Sequence, residues 1–208
     1  MGRLPFIIAT SLVVITGRTI SPMIAKALIA LGFMTAQEVP QQPVVQPIPV
    51  VQYEASWKCD DCTPEEKYVL KELQNKTRIT DRNALATILG NIKQESLFIS
   101  NVCEGGARVS YNNCHSGGYR IIQWTSVGRY NNLGKFCNKY DCDPSSLEGQ
   151  TSYMINESTF QRYLPEFEGS GKTVRQYMVP AYYWLGWGIK GNREVYAYEY
   201  VNKLKYLV

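Results

Sequence analysis

The chain has a single histidine, His115, among 208 residues. Chemistry that needs two imidazoles is therefore closed to it. Dense Lys or Arg runs are also absent. The net charge is only +4 and the pI about 8.7. Mild basicity of this kind favours anionic polymers through long-range attraction. It lacks the clustered basic footprint of a nucleic-acid binder, so no nucleic-acid partner is expected. No uninterrupted apolar run reaches the roughly 20 residues of a comfortable spanning helix.

Cysteine and tyrosine are plentiful. Six cysteines fall into neighbours along the chain: Cys59/Cys62, Cys103/Cys114 and Cys137/Cys142. An even count at short spacing suits an exported, disulfide-bearing domain. Reduced, buried cysteine in a stored protein is the alternative, and the connectivity stays open. Aromatic residues make up 12%, and 15 residues are tyrosines. A tyrosine ring packs on a pyranose face while its hydroxyl stays polar, so tyrosine-rich clefts suit sugars. Tyrosines also fill small cores.

Three regions are expected. Residues 1–36 are hydrophobic. Leu4 to Thr16 and Ile20 to Ala36 are two apolar stretches, with Arg18 between them and Lys26 inside the second. Arg18 makes one clean membrane span expensive. The segment reads as a membrane anchor or export signal, or as an arm that docks on a partner such as a virion protein. Residues 37–53 form a linker. Pro40, Pro43, Pro47 and Pro49 force extended backbone there, giving a semi-rigid tether. Residues 54–208 are the folded domain, of α+β class and mainly α. Thr63-Pro64-Glu65-Glu66 is a helix start, with a capping hydroxyl, proline at the first position and acids at the positive end of the dipole. A second helix runs from Asp81 into Glu95, with Leu85, Ile88, Leu89 and Ile92 at helical spacing. Glu104 to Gly118 is rich in Gly, Asn and Ser and predicts a small β or irregular lobe. Further helices are expected at 127–140, 146–157, 174–185 and 193–207.

Glu95 is the first candidate for chemistry. It lies three residues after Ile92 and seven after Ile88, on the apolar side of its helix. A carboxyl there is partly desolvated, and a neutral carboxyl can donate a proton to a glycosidic oxygen. By position alone it is an ordinary glutamate ending a helix. The segment Gly117-Gly118-Tyr119-Arg120-Ile121-Ile122-Gln123-Trp124-Thr125 adds to the case. Its glycines permit close backbone approach. Gln123 can donate and accept towards sugar hydroxyls. Trp124 can stack on a sugar or desolvate a carboxyl.

Asn91-Ile92-Lys93-Gln94-Glu95-Ser96, then Gly118 to Thr125 and Gly128-Arg129-Tyr130, resemble the phage tail lysozyme family. Gln150, Tyr153, Met154 and Glu157, and later Arg193 with Tyr196-Ala197, look like its following helices. The resemblance covers roughly residues 83–200. It implies a lysozyme-like fold and cleavage of the β-1,4 bond between N-acetylmuramic acid and N-acetylglucosamine in bacterial peptidoglycan. It places Glu95 on the catalytic glutamate. Gln123, Trp124, Tyr119 and Ser96 become substrate-binding candidates. No cofactor or metal is implied, and the expected location is the virion or the bacterial envelope or periplasm. Arg120 stands where the family usually has glycine, and Leu185-Gly186-Trp187-Gly188 replaces a Tyr-Glu-Arg-Pro stretch.

A two-carboxylate glycosidase needs a second acid. Glu104 is the first candidate, with Asp143 and Glu157 behind it. A lytic transglycosylase needs only one glutamate, acting as acid and then base, so both routes stay open. Three other classes compete with these. A cysteine peptidase would need His115 beside a free thiol. A zinc site would need Cys59 and Cys62 plus a matching pair, and Cys103/Cys114 has the wrong spacing. A non-catalytic virion or wall-binding protein would keep the fold without the activity.

Overall fold

The computed structural model describes residues 57–207, apart from 116, 117 and 120. The expected hydrophobic segment, the linker and Arg120 lie outside the described residues. Among the described residues there are seven helices and one two-stranded sheet, the mainly helical α+β class expected. None of these helices is long and apolar enough to cross a membrane.

Helix α1 (Pro64–Lys76) starts as its sequence dictates. The Thr63 hydroxyl accepts from Glu66 N–H, and the Glu66 carboxylate accepts from Thr63 N–H, a reciprocal capping box. Helix α2 (Arg82–Ser96) is capped by Asp81, whose carboxylate accepts from the N–H groups of Asn83 and Ala84. Then come α3 (Val127–Tyr140), α4 (Leu147–Asn156), α5 (Ser158–Glu168), α6 (Val174–Leu185) and α7 (Arg193–Lys203). Strand β1 (Trp57–Lys58) pairs antiparallel with β2 (Lys205–Tyr206) and closes the two ends of the domain on each other.

Two elements differ from the sequence expectation. The helix expected at 193–207 stops at Lys203. Leu204 is buried there, and the next two residues leave the helix to pair with β1. No helix is expected at 158–168, yet α5 forms around Pro165. Phe160, Leu164 and Phe167 are all buried along it. Each buried side chain of this size contributes about 2 kcal/mol, enough together to offset the roughly 3 kcal/mol cost of an internal proline.

The central element is α2. Residues 84–92 are buried without a break, and the helix packs on α6, α7, α1 and α5. Its closest neighbour is α7. A Cβ on Gly90 would lie 2.4 Å from the backbone nitrogen of Ala197 and 2.9 Å from the carbonyl of Arg193. Glycine costs a helix roughly 1 kcal/mol relative to alanine. Here it lets two backbones approach more closely than any side chain permits.

All six cysteines are bonded, each to its sequence neighbour: Cys59–Cys62, Cys103–Cys114 and Cys137–Cys142. The thiol that a peptidase would need is therefore absent. The same bonds occupy the sulfurs that a zinc site would use.

Gly90→Ala should push α7 off α2. We expect a loss of about 3 kcal/mol of unfolding free energy from overpacking, read as a lower urea midpoint at unchanged slope. An unchanged midpoint would show that the two helices separate without cost.

Candidate functional site

Glu95 is the last residue but one of α2. The chain must turn sharply after it. Leu97 and Phe98 both take left-handed backbone, with φ of 53° and 62°. Such conformations cost a non-glycine residue of order 1–3 kcal/mol each. The turn is held on both sides. Leu97 N–H donates to Lys93 O at 3.0 Å, Phe98 N–H donates to the Ser96 hydroxyl at 3.1 Å, and the Phe98 ring is buried. Ser96 Oγ in turn donates to the carbonyl of Ile121 at 3.0 Å. Ser96 therefore joins the end of α2 to the segment that carries Gln123.

Gln123 is a third left-handed residue, with φ of 48°. Its side-chain amide donates to the backbone carbonyl of Glu95 at 2.9 Å. A fully buried amide, Gln150 on α4, holds this segment from below. Its oxygen accepts from Ile121 N–H at 3.1 Å, and its nitrogen donates to the carbonyls of Ser100 and Pro144 at 2.7 and 2.8 Å. Three strained backbone positions thus gather around the end of the helix that carries Glu95.

A cleft of about 410 Å³ opens at this point, lined by Glu95, Ser96, Gln123, Glu104 and Arg108 among others. The irregular lobe forms the part of the lining that contains Glu104. It is held by the Cys103–Cys114 disulfide and by isolated bridges between Val102 and Arg108 and between Cys103 and Tyr119. Glu104 is exposed and tied to its own loop. Its N–H donates to Gly118 O at 2.9 Å, and its carboxylate accepts from Gly118 N–H at 3.0 Å.

The other carboxylate candidates lie elsewhere. Glu157 is buried and forms a bidentate pair with Arg129, at 2.5 and 2.7 Å. Asp143 accepts from Ser145 N–H at 2.8 Å and caps a local turn. Tyr119 and Trp124 do not present a stacking face to the cleft. Both are fully buried. Tyr119 packs edge-on against Tyr111 and Tyr130, and Trp124 lies against Tyr153. They form the floor under the Gln123 turn. A run of apolar residues beside a helix core is drawn inward by burial, and this outweighs the surface role expected of them.

One contact has no counterpart in local sequence pattern. The Arg193 guanidinium, at the first position of α7, donates from Nη2 to Glu95 Oε1. The two side chains are only 6% and 12% exposed. Arg193 Nη1 also donates to the carbonyls of Ile189 and Lys190, both at 2.8 Å, and the guanidinium lies 4.7 Å from the centre of the Trp187 ring. Beside it, Gln94 accepts from Asn192 N–H at 2.8 Å. The start of α7 is thus fastened to the end of α2 by two polar contacts. The Arg193 bond goes to Oε1, which leaves Oε2 as the carboxyl oxygen that can turn to a ligand. The sequence signal for Arg193 is its place in the Arg-x-x-Tyr-Ala pattern, which says nothing of a partner 98 residues away.

Removing one partner of a buried pair strands the other charge, at about 3–5 kcal/mol. Arg193→Met should therefore lower the unfolding free energy by about 3 kcal/mol. The double variant Arg193→Met/Glu95→Gln should recover part of the loss, because no lone carboxylate then remains. Equal stability of the wild type and Arg193→Met in urea titrations would show that the pair does not hold the site.

Comparison with curated proteins and with solved structures finds no match for the chain. The sequence pattern of the phage tail lysozyme family matches residues 64–204, from the start of α1 to just past the end of α7. That span contains all seven described helices, the cleft and the Glu95–Arg193 pair. The chain belongs to the phage tail lysozyme family, whose members act as lysozyme-like, peptidoglycan-degrading phage proteins.

Proposed function

We propose that this protein cleaves the β-1,4 bond between N-acetylmuramic acid and N-acetylglucosamine, as a virion-associated enzyme, with Glu95 as the proton donor. The supporting observation is the setting of Glu95. Of the two carboxyls on the cleft lining, it is the one fixed from two helices, at a strained turn.

The chemistry follows from that geometry. A glycosidic oxygen is a poor leaving group unless it is protonated as the C1–O bond breaks. In its protonated form Glu95 gives that proton from Oε2. The carboxylate left behind is the form that the Arg193 guanidinium stabilises at Oε1, so the arginine orients the acid and favours the transfer. Water then adds to C1 and gives up its proton to a carboxylate. Glu104, on the same cleft, is our choice for that base. Gln123 and Ser96 keep the end of α2 in register with the cleft lining, and their remaining polar capacity faces the N-acetyl and hydroxyl groups of the sugar. Arg108 supplies a cation on the lining for the carboxylates of lactyl groups or peptide stems.

Glu95→Gln keeps an oxygen that accepts from Arg193 but has no proton to transfer. We expect clearing of a peptidoglycan suspension by the full-length protein to fall about 100-fold or more, with the far-ultraviolet circular dichroism unchanged. Mass spectrometry of the digest should show reducing ends, and Glu104→Gln should slow their release. Anhydromuramyl ends at undiminished rate in Glu104→Gln would assign the single-glutamate transglycosylase route instead. Wall binding without clearing by the wild type would assign a non-catalytic virion role.

A further inference from the structure

Away from the cleft, an exposed aromatic surface lies on α6 and the turn after it. Tyr182 and Tyr183 are 47% and 58% exposed, beside Val179 at 56%. Contiguous exposed apolar surface marks an interaction site when it forms a patch rather than scattered single residues. These rings are in contact with one another. Tyr163 on α5 stacks with Tyr183, with centroids 5.9 Å apart. Tyr183 meets Tyr182 edge-on at 5.3 Å, and Tyr182 meets Trp187 edge-on at 5.3 Å. Trp187 then carries the Arg193 guanidinium that holds Glu95. The ring contacts, each under 6 Å, thus run from Tyr163 to Trp187, and the further link to Glu95 passes through the buried Arg193 guanidinium.

The far end of the chain is a groove of about 490 Å³. Tyr163 and Tyr183 are its aromatic lining, with Val179 and Pro180 as aliphatic surface. Its volume falls in the range of small-ligand sites. Its two charged residues neutralise each other, since Lys172 pairs with Glu166. Gln176 commits its oxygen to the α6 capping box, accepting from Thr173 N–H at 2.8 Å, and has amide donors left over. Aromatic faces, neutralised charge and leftover amide donors fit an uncharged pyranose better than an acidic or basic peptide.

We infer that the Tyr163–Tyr183–Tyr182–Trp187 face is a second glycan-binding track, which holds N-acetylhexosamine units of the same wall polymer outside the cleft. It rests on the reading of Glu95 as the cleaving acid only in taking the same polymer as its ligand. Its role is to keep the enzyme on an insoluble strand between cuts. The affinity comes from stacked rings, and a strand long enough to reach both places engages the second with an effective concentration advantage.

The test reads binding, so that it stands apart from cleavage. Full-length Glu95→Gln protein, which leaves the wall intact, is cosedimented with purified peptidoglycan sacculi. Tyr163→Ala/Tyr183→Ala in that background should weaken binding about 10-fold, with an unchanged thermal midpoint. Affinity for soluble N-acetylglucosamine oligomers should also stop rising with oligomer length earlier than in the parent. Should the double variant lose its fold, Tyr183→Ala alone serves, since that ring is largely in solvent. Unchanged sacculus binding overturns the track. So does unchanged sacculus binding with lost attachment to phage particles, which would make the face a protein-docking surface. If the wild type cuts no wall while the tyrosine variants still lose binding, the cleavage reading fails and the track stands.

Discussion

The close crossing of α2 and α7 is the constraint on which the site depends. Gly90 removes the one side chain that would hold the two helices apart, so the backbone of Ala197 comes within a distance no Cβ tolerates. Only at that separation does the Arg193 guanidinium, one turn earlier on α7, reach the Glu95 carboxylate. A buried ion pair adds little net stability, because desolvation cancels most of the attraction. Its value here is geometric. It fixes the carboxyl at the end of a helix, where frayed backbone would otherwise let it wander.

The rest of the cleft extends that fixed point. Three residues in left-handed backbone are costly, and they persist because hydrogen bonds from Ser96, Gln123 and Gln150 leave them no alternative. The irregular lobe has few regular backbone bonds of its own. The Cys103–Cys114 bond therefore supplies constraint that secondary structure does not, by limiting the unfolded loop. The wall carrying Glu104 is thus held by a disulfide and a few loop bonds, while the wall carrying Glu95 belongs to the domain core.

Much of the fold was legible in the sequence. Thr63 and Asp81 announced the starts of α1 and α2, since a capping oxygen and the first turn lie within a few residues of each other. The limits of α3 and α6 were equally plain. α5 was hidden, because Pro165 argues locally against a helix and only the burial of Phe160, Leu164 and Phe167 argues for it. The β1–β2 pairing was hidden for a related reason. Two-residue strands from opposite ends of the domain have no periodicity to show. In the site, local pattern picked out Glu95, Ser96, Gln123 and Glu104, and all four line the cleft. It could not tell which aromatic rings face outward. Tyr119 and Trp124 went to the core, whereas Tyr182 and Tyr183 stayed in solvent.

By itself, the sequence determined the mainly helical class, the helix that carries Glu95 near its end and the family pattern, because caps, apolar spacing and motifs act over short stretches of chain. Only the tertiary structure decided that Arg193 meets Glu95, that Gln150 supports the Gln123 turn, and that the exposed tyrosines run up to Trp187. The first two contacts join residues far apart in sequence, and the third depends on which way the rings of α6 face. All of them follow from how closely the helices pack, and helix packing is set by the whole core rather than by any one segment.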